Sequence, residues 1–199
     1  MNGYAKAETL VGAVAAPLDW VRSVALVFAF SLFVALAAQV AVRLPWTPVP
    51  ITAQTFAVLL AGALLGSRLG ALALLAYLAE GAAGLPFFSG GAGGAQYLFL
   101  SPTAGYLLAF PAAAFVTGYL AERGWDRRPL TAASALALGS LVILAGGWGW
   151  LALQTGSAAR AFAFGVAPFV VGDVIKIALA SAALPLGWKL LRRRDTRGA

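Results

Sequence analysis

The sequence predicts an all-α integral membrane protein, folded as a compact bundle of six transmembrane helices. Of its 199 residues, 61% are hydrophobic and only 11% are charged, whereas about a quarter of the residues of a soluble domain are charged. The mean hydropathy is +0.87. A membrane-spanning helix needs about 20 mostly apolar residues, and six stretches approach that length: 20–42, 51–66, 69–84, 102–121, 130–153 and 167–191. No linker separates them, so residues 1–199 are expected to form a single domain.

The distribution of basic residues predicts the orientation of these helices. Cytoplasmic loops carry an excess of Lys and Arg. A cytoplasmic N-terminus places eleven of the fourteen basic residues inside, with Arg43 and Arg160 outside and Lys176 within the membrane. We therefore expect a cytoplasmic N-terminal segment at 1–19, a basic cytoplasmic tail at 192–199 and an uncleaved first span. The net charge of +7 then favours contact with anionic membrane lipid and not with nucleic acid.

The first helix and the connection after it carry two patterns. Ala25 and Ala29 form a small-xxx-small pair, which lets another membrane helix approach closely. In a chain this rich in alanine, the pair is weak evidence for docking on its own. Residues 43–52 contain three prolines, which predict a stiff, extended connection to the second helix.

The connection between the third and fourth helices, residues 84–102, is long and rich in glycine and aromatic residues. Glycines let the backbone approach a ligand closely, and exposed aromatic side chains would be unfavourable unless they pack. Because no Gly-Lys-Ser/Thr follows the glycines, the segment is not a phosphate-binding Walker loop. Ser101 and Pro102 are expected to be the N-cap and first residue of the fourth helix.

Asp173 and Lys176 are the only charged residues of the segment 168–188 in the sixth helix. Their i, i+3 spacing puts them on one helix face, and a charge at membrane depth is costly enough to suggest a function. An ion pair that only holds helices together explains these two residues equally well. However, Gln54, Tyr77 and Glu80 are expected near the same outer face, and this convergence favours a ligand site.

Other features limit the chemistry. The chain has no His or Cys, which removes the commonest general base, thiolate nucleophiles and the usual zinc ligands. We expect no catalytic residue, metal or cofactor, and interpret the inner loop 122–129 as a solvated charge cluster. Two alternatives stay open: a small membrane enzyme assembled from Glu80, Asp173, Lys176 and Tyr77, or a scaffold in which Asp173 and Lys176 only pack helices.

Several segments together resemble a known family. They are PWTPVPITAQTFAVLLAGALLGSRLGALALLAYL at 45–78, GAAGLPFFSGGAGG at 81–94, SPTAGYLLAFPAAAF at 101–115 and VGDVIKIALA at 171–180. They resemble BioY, the biotin-specific substrate-binding component of energy-coupling factor (ECF) transporters. The chain departs from the family pattern at Ser101 and Ala104, where glycine is usual, and at Glu80, where an apolar residue is common.

The resemblance implies a bacterial inner-membrane protein that takes up biotin with a transmembrane coupling protein and two ATPase subunits. Biotin would lie near the outer face, with Asp173 accepting from its ureido N–H groups and Lys176 donating to its carbonyl or its carboxylate. Ala25 and Ala29 match the small residues that dock the coupling protein. The remaining substrate contacts are expected from Gln54, Tyr77, Glu80, Phe87, Gly90, Gly91, Gln96 and Tyr97.

Overall fold

The computed structural model describes residues 9–15 and 19–195. Most of the segment expected in the cytoplasm at 1–19 and the end of the expected tail, 196–199, lie outside the described residues. Nine α-helices and one pair of two-residue strands make up the described part: α1 Leu10–Ala15, α2 Trp20–Gln39, β1 Ala41–Val42, β2 Ile51–Thr52, α3 Gln54–Leu65, α4 Ser67–Ala82, α5 Ala95–Leu100, α6 Ala104–Glu122, α7 Pro129–Thr155, α8 Ala158–Gly165 and α9 Ala167–Asp195.

Four of these helices, α2, α6, α7 and α9, are long and apolar enough to cross a membrane. The apolar part of α9 ends at Leu191. Helices α3 and α4 contain 12 and 16 residues, so they are short for a full crossing. Each of the six predicted segments overlaps one of these six helices, but only four of the helices are long and apolar enough to cross a membrane, so six crossings stay a prediction. The chain is therefore a helical, multi-pass membrane protein.

Helix α6 packs against α3, α4 and α7 through contacts that leave no room for side chains. A Cβ atom added to Gly62 would overlap the carbonyl of Ala114, and one added to Gly105 would overlap the carbonyl of Gly146. Gly118 meets the backbone of the turn between α3 and α4 in the same way. Close backbone approach of this kind is how helices associate in lipid, where water does not drive apolar surfaces together.

At one end of the bundle, short elements cover the helices; we call it the pocket end. Strands β1 and β2 pair antiparallel, with Ala41 opposite Thr52, and close residues 43–50 into a loop. Helix α5 occupies part of the connection that the sequence showed only as long and glycine-rich. Helix α8 and a 3-10 turn at Ser89–Gly91 complete this end.

The expected start of the fourth helix is wrong by two residues. Helix α6 begins at Ala104, and Ser101 instead ends α5 in an extended conformation, where its backbone N–H donates to the carbonyl of Tyr97. The Ser101 hydroxyl lies 2.8 Å from Thr103 Oγ1 and caps no backbone N–H of α6. Because a short helix directly precedes this serine, its side chain serves the junction between two helices.

The opposite end of the bundle corrects the interpretation of residues 122–129 as a solvated cluster. Asp126 is only 1% exposed, and its Oδ2 accepts a 2.6 Å hydrogen bond from Trp188 Nε1 on α9. The Arg127 guanidinium lies 4.7 Å from the centre of the Trp188 ring. Burial raises the pKa of the Asp126 carboxyl, although the Trp188 hydrogen bond and the Arg127 charge oppose the rise. This loop therefore fastens α9 to the connection between α6 and α7.

Candidate ligand-binding site

The charged pair of α9 is the polar centre of the site. Asp173 is the seventh residue of α9, about 9 Å along the helix from its first residue at 1.5 Å per residue. Lys176 Nζ lies 3.6 Å from Asp173 Oδ1. Asp173 is only 7% exposed, and Lys176 is partly buried. The pair therefore lies inside the bundle and near its pocket end.

Neighbouring elements supply further hydrogen bonds to this pair. Lys176 Nζ donates to the carbonyl oxygen of Thr52 and to Thr55 Oγ1, both at 2.8 Å. Ser140 of α7 donates to Asp173 Oδ2 at 2.6 Å. The pair thus joins α9 to α3 and α7. Hydrogen bonds and the opposite charge orient both groups, as preorganised binding groups require.

A pocket opens beside the pair and contains about 530 Å³ of atom-free space, its opening included. Elements from most of the chain contribute to its wall, including β2, α3, α6, α7 and α9. Apolar and aromatic side chains form much of the lining, and the charged pair stands among them. The lining residues are Val49, Pro50, Thr52, Gln54, Thr55, Ser89, Tyr97, Thr103, Tyr106, Leu107, Phe110, Ile143, Leu144, Phe169, Asp173 and Lys176. Such a pocket suits a small molecule with polar ends and an apolar body.

Gln54 lines the pocket in a position fixed by Tyr77. Its Nε2 donates to the Tyr77 hydroxyl at 2.5 Å, and that hydroxyl donates to the carbonyl of Phe87 at 3.2 Å. Tyr77 is fully buried and does not line the pocket itself. It connects α3 and α4 to the connection between α4 and α6, residues 83–103, which we call the aromatic loop, and it holds the Gln54 amide in place.

The aromatic residues of this loop pack on one another. Phe88 is fully buried; its ring stacks on Tyr97 at 5.4 Å between centroids and meets Tyr77 edge-on at 5.7 Å. Such pairs add about 0.5–1.5 kcal/mol beyond the area they bury. Because of this packing, the loop presents the Tyr97 side chain to the pocket on a fixed support.

Gln39, at the end of α2, holds the tip of the same loop. Its Nε2 donates to the carbonyls of Pro86 and Phe88, at 3.4 and 3.3 Å, and its Oε1 accepts from the backbone N–H of Gly91 at 3.1 Å. Gly90 and Gly91 have φ values of 74° and 73°, a conformation that glycine adopts without steric cost. The tight turn at 88–92 therefore depends on both glycines and on one amide side chain.

Comparison with known proteins identifies the family. The model of the BioY family matches residues 6–193. The chain belongs to the BioY family. Among curated BioY proteins, the probable biotin transporter of Pyrococcus horikoshii is 43% identical over 159 residues, which are 80% of this chain and 91% of that protein. The biotin transporter of Rhizobium etli is 42% identical over 82% of this chain and 92% of its own length.

A solved structure agrees with this assignment to the BioY family. The crystal structure of the S-component for biotin from an ECF-type ABC transporter superposes with a TM-score of 0.77 at 26% sequence identity. The match covers 85% of this chain and 92% of that chain. These proteins are named as a probable transporter, a transporter and a transporter component, so the comparisons do not support the enzyme and scaffold alternatives.

In this BioY-family chain, four of the residues predicted to bind substrate line the pocket. They are Gln54, Tyr97, Asp173 and Lys176. Tyr77 lies behind Gln54 and positions it. Three of the groups predicted to converge, Gln54, Asp173 and Lys176, thus lie around one pocket, whereas Glu80 does not join them.

The other predicted substrate residues lie outside the lining. Glu80 faces α2, where its Oε2 accepts a 2.5 Å hydrogen bond from Ser31. Phe87 contributes the carbonyl that Tyr77 binds, whereas Gly90, Gly91 and Gln96 are exposed on the loop. These residues stay predictions as ligand contacts; in this structure Phe87 and the two glycines shape the loop.

Other lining residues were not selected from the sequence. Thr52 contributes its backbone carbonyl, which no residue pattern reveals, and Ser140, which lies behind the lining, binds Asp173 from an apolar helix. Ile143, Leu144 and Phe169 look like ordinary lipid-facing or core residues in the sequence. A sequence signal exists for Thr55, a polar residue next to Gln54, and for Ser89, a polar residue between the aromatic and glycine parts of the 84–102 connection.

Ala25 and Ala29, the predicted docking residues, lie on the exposed face of α2. The large apolar side chains of Phe28 and Leu32 are exposed on the same helix, 54% and 49% respectively. The two alanines therefore form a shallow strip on a surface that faces lipid or a partner helix. None of the pocket-lining residues belongs to α2.

Proposed function

We propose that this chain is the biotin-binding component of an ECF-type vitamin uptake transporter. The observation that carries the proposal is the buried Asp173–Lys176 pair in a pocket with many apolar walls. The names of the relatives support it: two are biotin transporters by name, and the similar structure is an S-component for biotin. The pocket would capture biotin before its delivery across the membrane.

Biotin matches the chemistry of the pocket. Its ureido ring offers two N–H donors and one carbonyl acceptor, and Asp173 and Lys176 offer the complementary groups about 3.6 Å apart. Its thiophane ring and valeryl chain are apolar, as are Ile143, Leu144 and Phe169. Small-ligand sites combine apolar walls with a few placed polar groups in this way.

The topology completes the proposal. All 199 residues would form one substrate-binding unit that crosses the membrane six times, with both termini in the cytoplasm. The pocket end would then face outward, toward the biotin supply. The eleven-to-two distribution of basic residues between the two sides supports this orientation.

A transmembrane coupling protein and two ATPase subunits would drive transport, because the sequence has no Walker motif of its own. Ala25 and Ala29 would admit a helix of the coupling protein against α2. This face is separate from the pocket, so docking and substrate binding would use different surfaces of the chain.

Isothermal titration of the purified chain with biotin in detergent tests the proposal. We expect one biotin per chain and a Kd below about 1 μM, which corresponds to roughly −8 kcal/mol. Biotin recovered from the complex should be chemically unchanged, as a transporter requires. Neither heat nor a shift in thermal unfolding on addition of biotin would overturn the proposal.

A further inference from the structure

The Ser89 hydroxyl is the unusual polar group of the pocket. Ser89 is only 8% exposed and lines the pocket, yet its Oγ is buried without a hydrogen-bond partner in the described part of the chain. Seven of the other lining polar side chains have protein partners: Thr52, Gln54, Thr55, Thr103, Tyr106, Asp173 and Lys176. The Tyr97 hydroxyl is not among the buried unpartnered groups.

A buried hydroxyl without a partner is unfavourable, because it has lost its hydrogen bonds to water and gained none. Two hydrogen bonds fix the backbone on either side of Ser89. The N–H of Phe88 donates to the carbonyl of Ala92 at 2.9 Å, and the N–H of Gly91 donates to the carbonyl of Phe88 at 3.1 Å. The hydroxyl is thus held at the pocket wall, where a ligand atom can bind it.

A positive charge lies beside the turn that carries Ser89. The Arg43 guanidinium contacts Gly90, the residue after Ser89; a Cβ on Gly90 would lie 2.5 Å from an Arg43 terminal nitrogen. Arg43 is exposed, and no ion pair is formed by it among the described residues. The other cation here, Lys176, already faces the Asp173 carboxylate. Arg43 does not line the pocket, but it places a positive charge without an ion-pair partner among the described residues beside the Ser89–Gly91 turn.

We infer that Ser89 and Arg43 form a subsite for the carboxylate of the ligand. The inference rests on the proposed function, since biotin carries one carboxylate at the end of its valeryl chain. The Ser89 hydroxyl donates to a carboxylate oxygen, and Arg43 attracts the anion at the loop. Asp173 and Lys176 then hold the ureido ring at the other end. This arrangement assigns Lys176 to the ureido carbonyl.

Two ligands separate the carboxylate from the rest of biotin: biotin itself and biotinamide, in which a neutral amide replaces the carboxylate. For Ser89→Ala we expect an approximately tenfold weaker Kd for biotin, equal to about 1.4 kcal/mol, and less than a twofold change for biotinamide. The ligand-free variant should unfold at the same temperature or higher, because it no longer buries an unpaired hydroxyl. If Ser89 only stabilised the fold, Ser89→Ala would lower the unfolding temperature.

For Arg43→Gln we expect an approximately fivefold weaker Kd for biotin at low salt, with the difference shrinking as salt screens the charge. Arg160→Gln removes the other basic residue expected on the same side and should change Kd less than twofold.

If Ser89→Ala and Arg43→Gln bind biotin as tightly as the native chain, the subsite is refuted while the proposed function stands. Equal weakening for biotin and biotinamide would also refute it, because the hydroxyl would then contact another part of the ligand. If the native chain fails to bind biotin, the proposed function itself fails.

Discussion

Replacing Asp173 by Asn is the most direct test of what the charged pair does. The substitution preserves the size of the side chain and an oxygen that can accept from Ser140, but removes the negative charge. Lys176 keeps the carbonyl of Thr52 and the hydroxyl of Thr55 as partners at 2.8 Å. The altered protein should therefore fold, with a pocket that has lost its anionic acceptor.

The contacts of Asp173 determine how much biotin affinity and how much stability Asp173→Asn should lose. Hydrogen bonds to charged groups contribute about 1.5–3 kcal/mol each, and the carboxylate faces up to two ureido N–H donors. We expect a loss of at least about 2.7 kcal/mol, or a hundredfold in Kd. Removing one partner of a buried ion pair costs about 3–5 kcal/mol of stability. We expect the loss of stability to lie at the lower end of this range, because Lys176 retains two hydrogen-bond acceptors.

Titration calorimetry with biotin measures the change in Kd, and thermal unfolding of the ligand-free protein measures the change in stability. Ser140→Ala is the matched control: it removes the 2.6 Å hydrogen bond to Asp173 but keeps the charge, so its Kd should rise less than tenfold. A folded Asp173→Asn protein that binds biotin within twofold of the native chain would refute the reasoning and leave the pair as a link between helices.

Three further results are expected. A cysteine at Ala159 should react with an impermeant maleimide from outside the cell and one at Arg128 should not; the reverse pattern would invert the topology. Leu at both Ala25 and Ala29 should abolish co-purification with a coupling protein but leave biotin binding within twofold, whereas intact assembly would move docking elsewhere. Because its raised pKa makes folded Asp126 hold its proton more tightly than the unfolded chain does, stability should decrease as pH rises above about 4. Asp126→Asn should reduce the decrease of stability with pH, measured by unfolding at several pH values. An unchanged decrease would show that Asp126 does not cause it.

The sequence predicts where a polar residue lies along its helix better than it predicts which neighbouring helix the side chain faces. Tyr77 and Glu80 lie on the same helix at the same end, as their positions along it require. Tyr77 turns into the core near the pocket and Glu80 faces Ser31 on α2. Which neighbour a helix face meets depends on packing between helices, and an apolar, alanine-rich sequence has little periodicity to reveal it.

Charges were easier to interpret than neutral groups. Asp173 and Lys176 stood out because charge is costly in an apolar helix. Ser140 and the carbonyl of Thr52 carry no comparable signal, since serine is tolerated in membrane helices and every residue has a carbonyl. For Asp126 the charge is misleading. The basic residues around it indicate a solvent-exposed loop, whereas its hydrogen-bond partner Trp188 lies 62 positions away in the sequence.

The glycine contacts of α6 determine how freely this chain can change during evolution. At Gly62, Gly105 and Gly118 the backbone of a neighbouring helix or turn fills the space that even a methyl group would need, so drift at these positions would push two helices apart. Leu108 lies on the exposed side of α6, where no neighbouring backbone limits its size, so other apolar residues can replace it. Helix α6 therefore carries two glycines, on different sides, that tolerate no larger residue and an exposed strip that does, and a complete substitution scan would display this difference along α6.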